Sequence, residues 1–215
     1  MDKKAVLARI RAVGLIPVIR ARSAEEATQA IEAIRAGGIS VLEITMTVPG
    51  AVDLIRAVVR RTPEALVGAG TVLDAGTARA CIAAGARFVV SPILDRETVA
   101  LCREENVAVM PGGLTPAEVL AAWQAGADLV KVFPAGAVGG ASYIKALKAP
   151  FPELELVPTG GGSLETAGAF IRAGAAALGV GADLVDLEAM RRGEAHVIAE
   201  RARRYVETVR TARGA

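Results

Sequence analysis

The sequence predicts an α/β fold, a closed (β/α)8 TIM barrel with an extra N-terminal helix, as one domain over residues 1–215. Composition is the first reason: 215 residues, 53% of them hydrophobic but only 3% aromatic. A core of Ala, Val, Leu and Ile suits alternating layers of strand and helix better than a sandwich anchored on large rings, and the length fits one domain. The second reason is an internal echo. Ala36-Gly37-Gly38-Ile39, Ala84-Gly85-Ala86-Arg87, Ala125-Gly126-Ala127-Asp128 and Ala173-Gly174-Ala175-Ala176 each close an Ala-rich helical pattern and open a β-rich run. Each Gly (37, 85, 126, 174) stands where the residue ending a helix takes a left-handed conformation. The echo recurs about every 45 residues, a unit of two strands and two helices, and four units make eight strands.

The elements follow in order. A charged amphipathic stretch predicts the extra helix over Lys4 to Val13. Short, mostly apolar runs, as parallel strands covered on both faces should be, predict strands at Ile16 to Arg20, Val41 to Thr45, Leu66 to Ala69, Phe88 to Ser91, Val107 to Met110, Leu129 to Phe133, Leu154 to Pro158 and Ala177 to Val180. Between them, Ser23, Asp74, Asp95, Thr115 before Pro116, and Ser163 are placed to cap helix N-termini. An open doubly wound sheet shares this alternation and stands as the alternative.

Charge and composition exclude several functions. Lys+Arg 25 against Asp+Glu 23 leaves no excess for a phosphate backbone, so no nucleic acid partner is expected. Every apolar stretch is interrupted well short of a membrane span, and Arg9 and Arg11 break any secretory core, so a cytoplasmic protein is expected. Cys81 and Cys102 read as reduced core residues, and the single His196 cannot build a His-rich zinc site or a His-based triad. Neither a metal nor a cofactor is expected.

In a barrel the chemistry sits at the C-terminal ends of the strands. Of five lysines, Lys131 alone lies inside an apolar strand, where alternation puts Leu129, Lys131 and Phe133 on one face. Apolar surroundings penalise a charged amine and favour the neutral form that attacks a carbonyl. In the second strand Val41, Glu43 and Thr45 share a face, so an inward Glu43 can meet Lys131 and shuttle its protons. The runs Pro158-Thr159-Gly160-Gly161-Gly162-Ser163 and Leu178-Gly179-Val180-Gly181-Ala182 place glycines after strands seven and eight, where exposed N–H groups suit an oxyanion.

Glu43, Gly68-Ala69-Gly70-Thr71, Ser91-Pro92, Met110-Pro111-Gly112, Lys131-Val132-Phe133-Pro134 and Pro158-Thr159-Gly160-Gly161, taken in order, resemble the 2-keto-3-deoxy-6-phosphogluconate (KDPG) and 4-hydroxy-2-oxoglutarate (KHG) aldolase family. The resemblance runs from about Ile16 to Val185. It implies a metal-free class I aldolase acting on a 2-oxo acid, in most relatives a homotrimer, with Lys131 as Schiff-base lysine and Glu43 as general acid/base. It also implies that Thr71 lies near the pyruvyl carboxylate, that Pro92 and Phe133 form pocket walls, and that Thr159, Gly160 and Gly161 hold the distal end. Thr45, Gly162 and Gly181 are expected to line the same pocket.

Three positions depart from the family pattern. Thr47 stands where some relatives carry an arginine that meets the carboxylate, and Arg20 at the end of strand one is the expected substitute. Ala182 replaces a phosphate-contacting serine, and Gly162 a β-branched residue. Two other functions remain open here: a phosphate-binding isomerase or epimerase, and a non-catalytic assembly subunit on the same scaffold.

Overall fold

The computed structural model describes residues 1–214; Ala215, the end of the expected domain, lies outside the described residues. In chain order the elements are α1 (Lys3–Val13), β1 (Leu15–Ile19), α2 (Ala24–Ala36), β2 (Val41–Thr45), α3 (Ala51–Arg61), β3 (Leu66–Gly70), α4 (Ala75–Ala83), β4 (Phe88–Val90) and α5 (Arg96–Glu104). They continue as β5 (Ala108–Met110), β6 (Gly112–Gly113), α6 (Pro116–Gln124), β7 (Val130–Val132), a 3-10 turn (Ala135–Val138), α7 (Ala141–Lys148), β8 (Leu156–Pro158), α8 (Leu164–Arg172), β9 (Leu178–Val180), α9 (Leu187–Arg191) and α10 (Ala195–Ala212). The expected caps start their helices: Ser23, Asp74, Asp95 and Thr115 each accept a backbone N–H with the side chain, and Ser163 is the N-cap of α8. Gly85, Gly126 and Gly174 take the left-handed conformation after their helices, but after α2 that conformation belongs to Gly38 and not to Gly37.

The expected closed eight-stranded barrel is corrected by the strand pairing. All ladders are parallel, but they form two sheets, one of six strands in the order β5-β4-β3-β2-β1-β9 and one of three in the order β6-β7-β8. One break falls at Pro111, directly after the run Val107 to Met110 that the sequence reads as the fifth strand. Proline has no N–H to donate to a ladder, so β5 ends there, the chain resumes as the unexpected two-residue strand β6, and of these two β7 pairs only with β6. The other break falls between the three-residue strands β8 and β9, where one isolated bridge, Thr159 with Gly179, replaces a ladder.

Two apolar clusters hold the layers together. The larger packs helices on strands, with Ile31, Ile34, Leu54 and Ile55 against Leu42, Ile44 and Val67. The smaller is interior: Ile16, Val41, Leu66, Phe88, Met110, Leu129, Val157 and Ala177, drawn from both sheets, meet Val6 and Ile10 of α1. Helix α1 thus plugs the end at which the strands begin. Full burial of a side chain such as Ile10 contributes about 1.5–3 kcal/mol. Lys3 bonds Asp128 at 2.8 Å and Arg11 Nε bonds Glu155 at 2.9 Å, tying the plug to the second sheet.

Candidate active site

Side-chain alternation builds the site one layer above the interior cluster. Val41 and Leu129 point into that cluster, so Glu43 and Lys131, two residues further along β2 and β7, project inward beyond it. In the ladders Glu43 lies between Val18 and Gly68, and Lys131 between Gly112 and Val157. Each is only 2% exposed, and Lys131 Nζ stands 4.0 Å from Glu43 Oε1. Burial pushes the Glu43 carboxyl above the usual carboxylate range, against the opposing pull of Lys131 and Arg20. Glu43 Oε1 has no hydrogen-bond partner among the described residues. A buried oxygen left without a donor is expensive in a resting protein and useful where a substrate proton is to arrive. Lys131 Nζ also lies 5.4 Å from the centre of the Phe133 ring, within cation–π range.

The site needs empty space as well as groups. A Cβ at Gly70 would overlap the Glu43 carboxyl group, and one at Gly112 would overlap the Pro92 backbone. Sequence reasoning gives neither glycine a role. Their signal is Gly68 and Gly70 two apart in one strand, leaving an inward face without side chains.

Beside the pair opens a cleft of about 240 Å³ lined by Val18, Arg20, Phe133, Thr159, the glycines 160–162, Gly179 and the turn 181–183. Arg20, Phe133, Thr159, Gly160, Gly161, Gly162 and Gly181, expected from sequence to share one pocket, are brought together here. The N–H groups of Gly161, Gly162, Gly181 and Ala182 have no hydrogen-bond partner among the described residues. The carbonyls of Thr159 and Gly160 instead accept from Ala135 and Gly136, at 2.9 and 2.8 Å, which fixes the loop. Arg20 is exposed and is the one cation among the lining residues. The arrangement suits an anion or a hydroxyl-bearing chain running outward from the lysine.

The other expected residues fall differently. Thr45 is fully buried, and its hydroxyl is engaged by the Ile19 carbonyl at 2.9 Å and Thr47 Oγ1 at 2.6 Å. Thr71 is half-buried and holds φ at +56°, a conformation that a β-branched residue avoids unless its surroundings impose it. Pro92 lines a second cleft, of about 350 Å³, on which Phe133 also borders. Cys81 and Cys102 are buried, their thiols pushed by burial up to about 11 and about 12, so neither supplies a thiolate nucleophile near neutral pH. His196 lies on the exposed surface of α10.

Known proteins resemble this chain in sequence and in fold. The sequence model of the KDPG and KHG aldolases matches residues 6–200. The KHG/KDPG aldolase of Escherichia coli K12 is 35% identical over 193 residues, 90% of this chain and 91% of that one. The 2-dehydro-3-deoxy-phosphogluconate aldolase of Haemophilus influenzae is 36% identical over 156 residues, 73% of this chain and 74% of its own. Among solved structures, the KDPG aldolase of Legionella pneumophila, which holds pyruvate as a covalent carbinolamine, superposes with a TM-score of 0.85 at 33% identity, covering 94% of this chain and 97% of that one. A match across most of the length, in sequence and in fold alike, means that this chain belongs to the KDPG and KHG aldolase family.

Proposed function

We propose that the chain is a class I aldolase that cleaves 2-keto-3-deoxy-6-phosphogluconate to pyruvate and glyceraldehyde 3-phosphate, and 4-hydroxy-2-oxoglutarate to pyruvate and glyoxylate. The observation that carries this is the buried amine of Lys131, 4.0 Å from the unpartnered oxygen of Glu43. Lys131 attacks the C2 ketone, and the carbinolamine loses water to give an iminium. Glu43 takes the proton of the C4 hydroxyl as the C3–C4 bond breaks. The aldehyde leaves, and the electron pair of the broken bond remains as an enamine conjugated to the Lys131 nitrogen. Protonation at C3 and hydrolysis then release pyruvate and restore the amine. The iminium is the electron sink, so no step requires a metal.

Arg20 and Thr71 hold the pyruvyl carboxylate, Phe133 and Pro92 wall the pocket, and Thr159 and Gly160 with the N–H groups of Gly161, Gly162 and Gly181 take the distal hydroxyl and phosphoryl end. Thr45 acts from beneath, through Thr47, and does not touch substrate. The chain forms one domain, assembles as a homotrimer and works in the cytoplasm. Among the described residues no helix is long and apolar enough to cross a membrane. The test is reduction of the enzyme–pyruvate mixture with borohydride, followed by peptide mass mapping, alongside pyruvate release from both 2-oxo acids. A reduced pyruvyl adduct on Lys131 is expected; an adduct elsewhere, or no pyruvate from either acid, removes the assignment.

A further inference from the structure

The turn after β9 supplies one wall of the cleft, and it is held from behind by the C-terminal helix. Asp183 lines the cleft, yet its carboxylate accepts a hydrogen bond from the hydroxyl of Tyr205, a fully buried residue of α10. Arg201, one turn earlier on α10, donates to the Asp183 carbonyl at 2.8 Å and pairs with Asp186 at 3.2 Å. Asp186 in turn caps α9 by accepting from the Ala189 N–H at 3.0 Å. The same turn presents the free N–H groups of Gly181 and Ala182, and a Cβ at Gly181 would meet nothing within 4 Å, so open space lies above it. Its φ lies outside the left-handed region, so the backbone does not demand glycine there.

A carboxylate on the wall of an anion site needs an explanation, because at a few ångströms it repels a phosphoryl group. The Tyr205 hydroxyl supplies one. Its hydrogen bond ends on that carboxylate, and burial together with Asp183 holds the phenol protonated well above its usual range, so it remains a donor.

We propose that Tyr205 is a positioning residue that keeps the Asp183 charge turned away from the cleft, and that this contact sets the enzyme's preference for phosphorylated over non-phosphorylated substrate. The inference rests on the reading of this cleft as the seat of the phosphoryl end. Removing the hydroxyl frees a charged group from a bond of the strong, charge-assisted kind and lets it swing toward the ligand.

The experiment compares wild type, Tyr205→Phe and Tyr205→Phe/Asp183→Asn on 2-keto-3-deoxy-6-phosphogluconate and on 4-hydroxy-2-oxoglutarate, with inorganic phosphate as competitor. Tyr205→Phe is expected to raise KM for the phosphorylated substrate about tenfold with kcat little changed, and to leave the non-phosphorylated substrate untouched. The double variant is expected to recover most of that loss, because no charge remains to swing. An equal loss on both substrates, or no recovery in the double variant, makes Tyr205 a packing residue and overturns the proposal. If wild type shows neither preference for the phosphorylated substrate nor competition by phosphate, the reading of the cleft falls first and this inference falls with it.

Discussion

The six-stranded sheet holds Glu43 in β2, a five-residue strand with ladders to β1 and β3 on either side. The three-stranded sheet holds Lys131 in β7, a three-residue strand between the two glycines of β6 and the strand β8, which ends in Pro158. Both groups thus occupy central strands, but the first sheet fixes its residue with a long regular ladder and the second with short pairings and missing side chains. The lesson is that neither sheet holds the chemistry alone. Glu43 and Lys131 approach to 4.0 Å because the two sheets share one interior cluster.

Substitutions can break that comparison in turn. Lys131→Ala removes the contribution of the short sheet entirely. It is expected to abolish the borohydride-trapped adduct and to lower kcat on the order of 10⁵-fold, as loss of a covalent nucleophile does. An intact-mass spectrum that still shows the adduct would refute the role of Lys131.

Glu43→Gln removes the contribution of the long sheet but keeps its shape. The adduct should still form while turnover slows by about 10²- to 10⁴-fold, the range of a general acid/base. A wild-type kcat would reduce Glu43 to a structural partner of the lysine. The same residue fixes a pH limb. Its carboxyl titrates above the ordinary 4.5 because it is buried, and the proposed cleavage uses it as a base. The rate therefore rises with pH through a value above 4.5, and the Glu43→Gln profile lacks that limb. An unshifted limb in the variant assigns it to another group.

Gly70→Ala tests the space and not the group. The new methyl overlaps the Glu43 carboxyl and pushes it out of line, with an expected kcat loss of about 10- to 100-fold and the adduct on Lys131 intact. Kinetics equal to wild type would show that the carboxyl has freedom to move. The smallest effect is expected at the cleft rim. Ala182→Ser restores a hydroxyl beside the free N–H groups and should lower KM for the phosphorylated acid by about tenfold at most, with 4-hydroxy-2-oxoglutarate unaffected. Equal changes on both acids would place the phosphoryl group elsewhere.

Much of this architecture is legible in the amino-acid sequence, for identifiable reasons. Lys131 and Glu43 stand out because a charge inside a short apolar strand violates the pattern around it, and period-two alternation then says which way each points. Ser23, Asp74, Asp95 and Thr115 are legible because a helix start needs an oxygen at one fixed place. Closure is not legible, since it depends on whether distant strand edges pair. Pro111 holds the clue to one break, a residue without a donor directly after the expected fifth strand. The hydrogen bonds of the Thr45 hydroxyl to Ile19 and Thr47 are not legible either, because alternation gives a side chain's direction and not its partners. The contact of Tyr205 with Asp183 joins a helix to a loop 22 residues earlier and leaves no periodic trace in the chain.

The plug formed by Val6 and Ile10 has a consequence for traffic. With that end filled by packed side chains, the reaction chamber is a blind alley, and everything that enters or leaves passes the strand ends that carry the glycine loops. In the proposed reaction the aldehyde fragment lies on the outer side of the pyruvyl fragment, which stays tethered to Lys131. Water for the last hydrolysis must follow the path that the aldehyde vacates. Release is therefore sequential by construction, aldehyde first and pyruvate second, and a pattern of product inhibition in which pyruvate and aldehyde act on different enzyme forms is its kinetic signature.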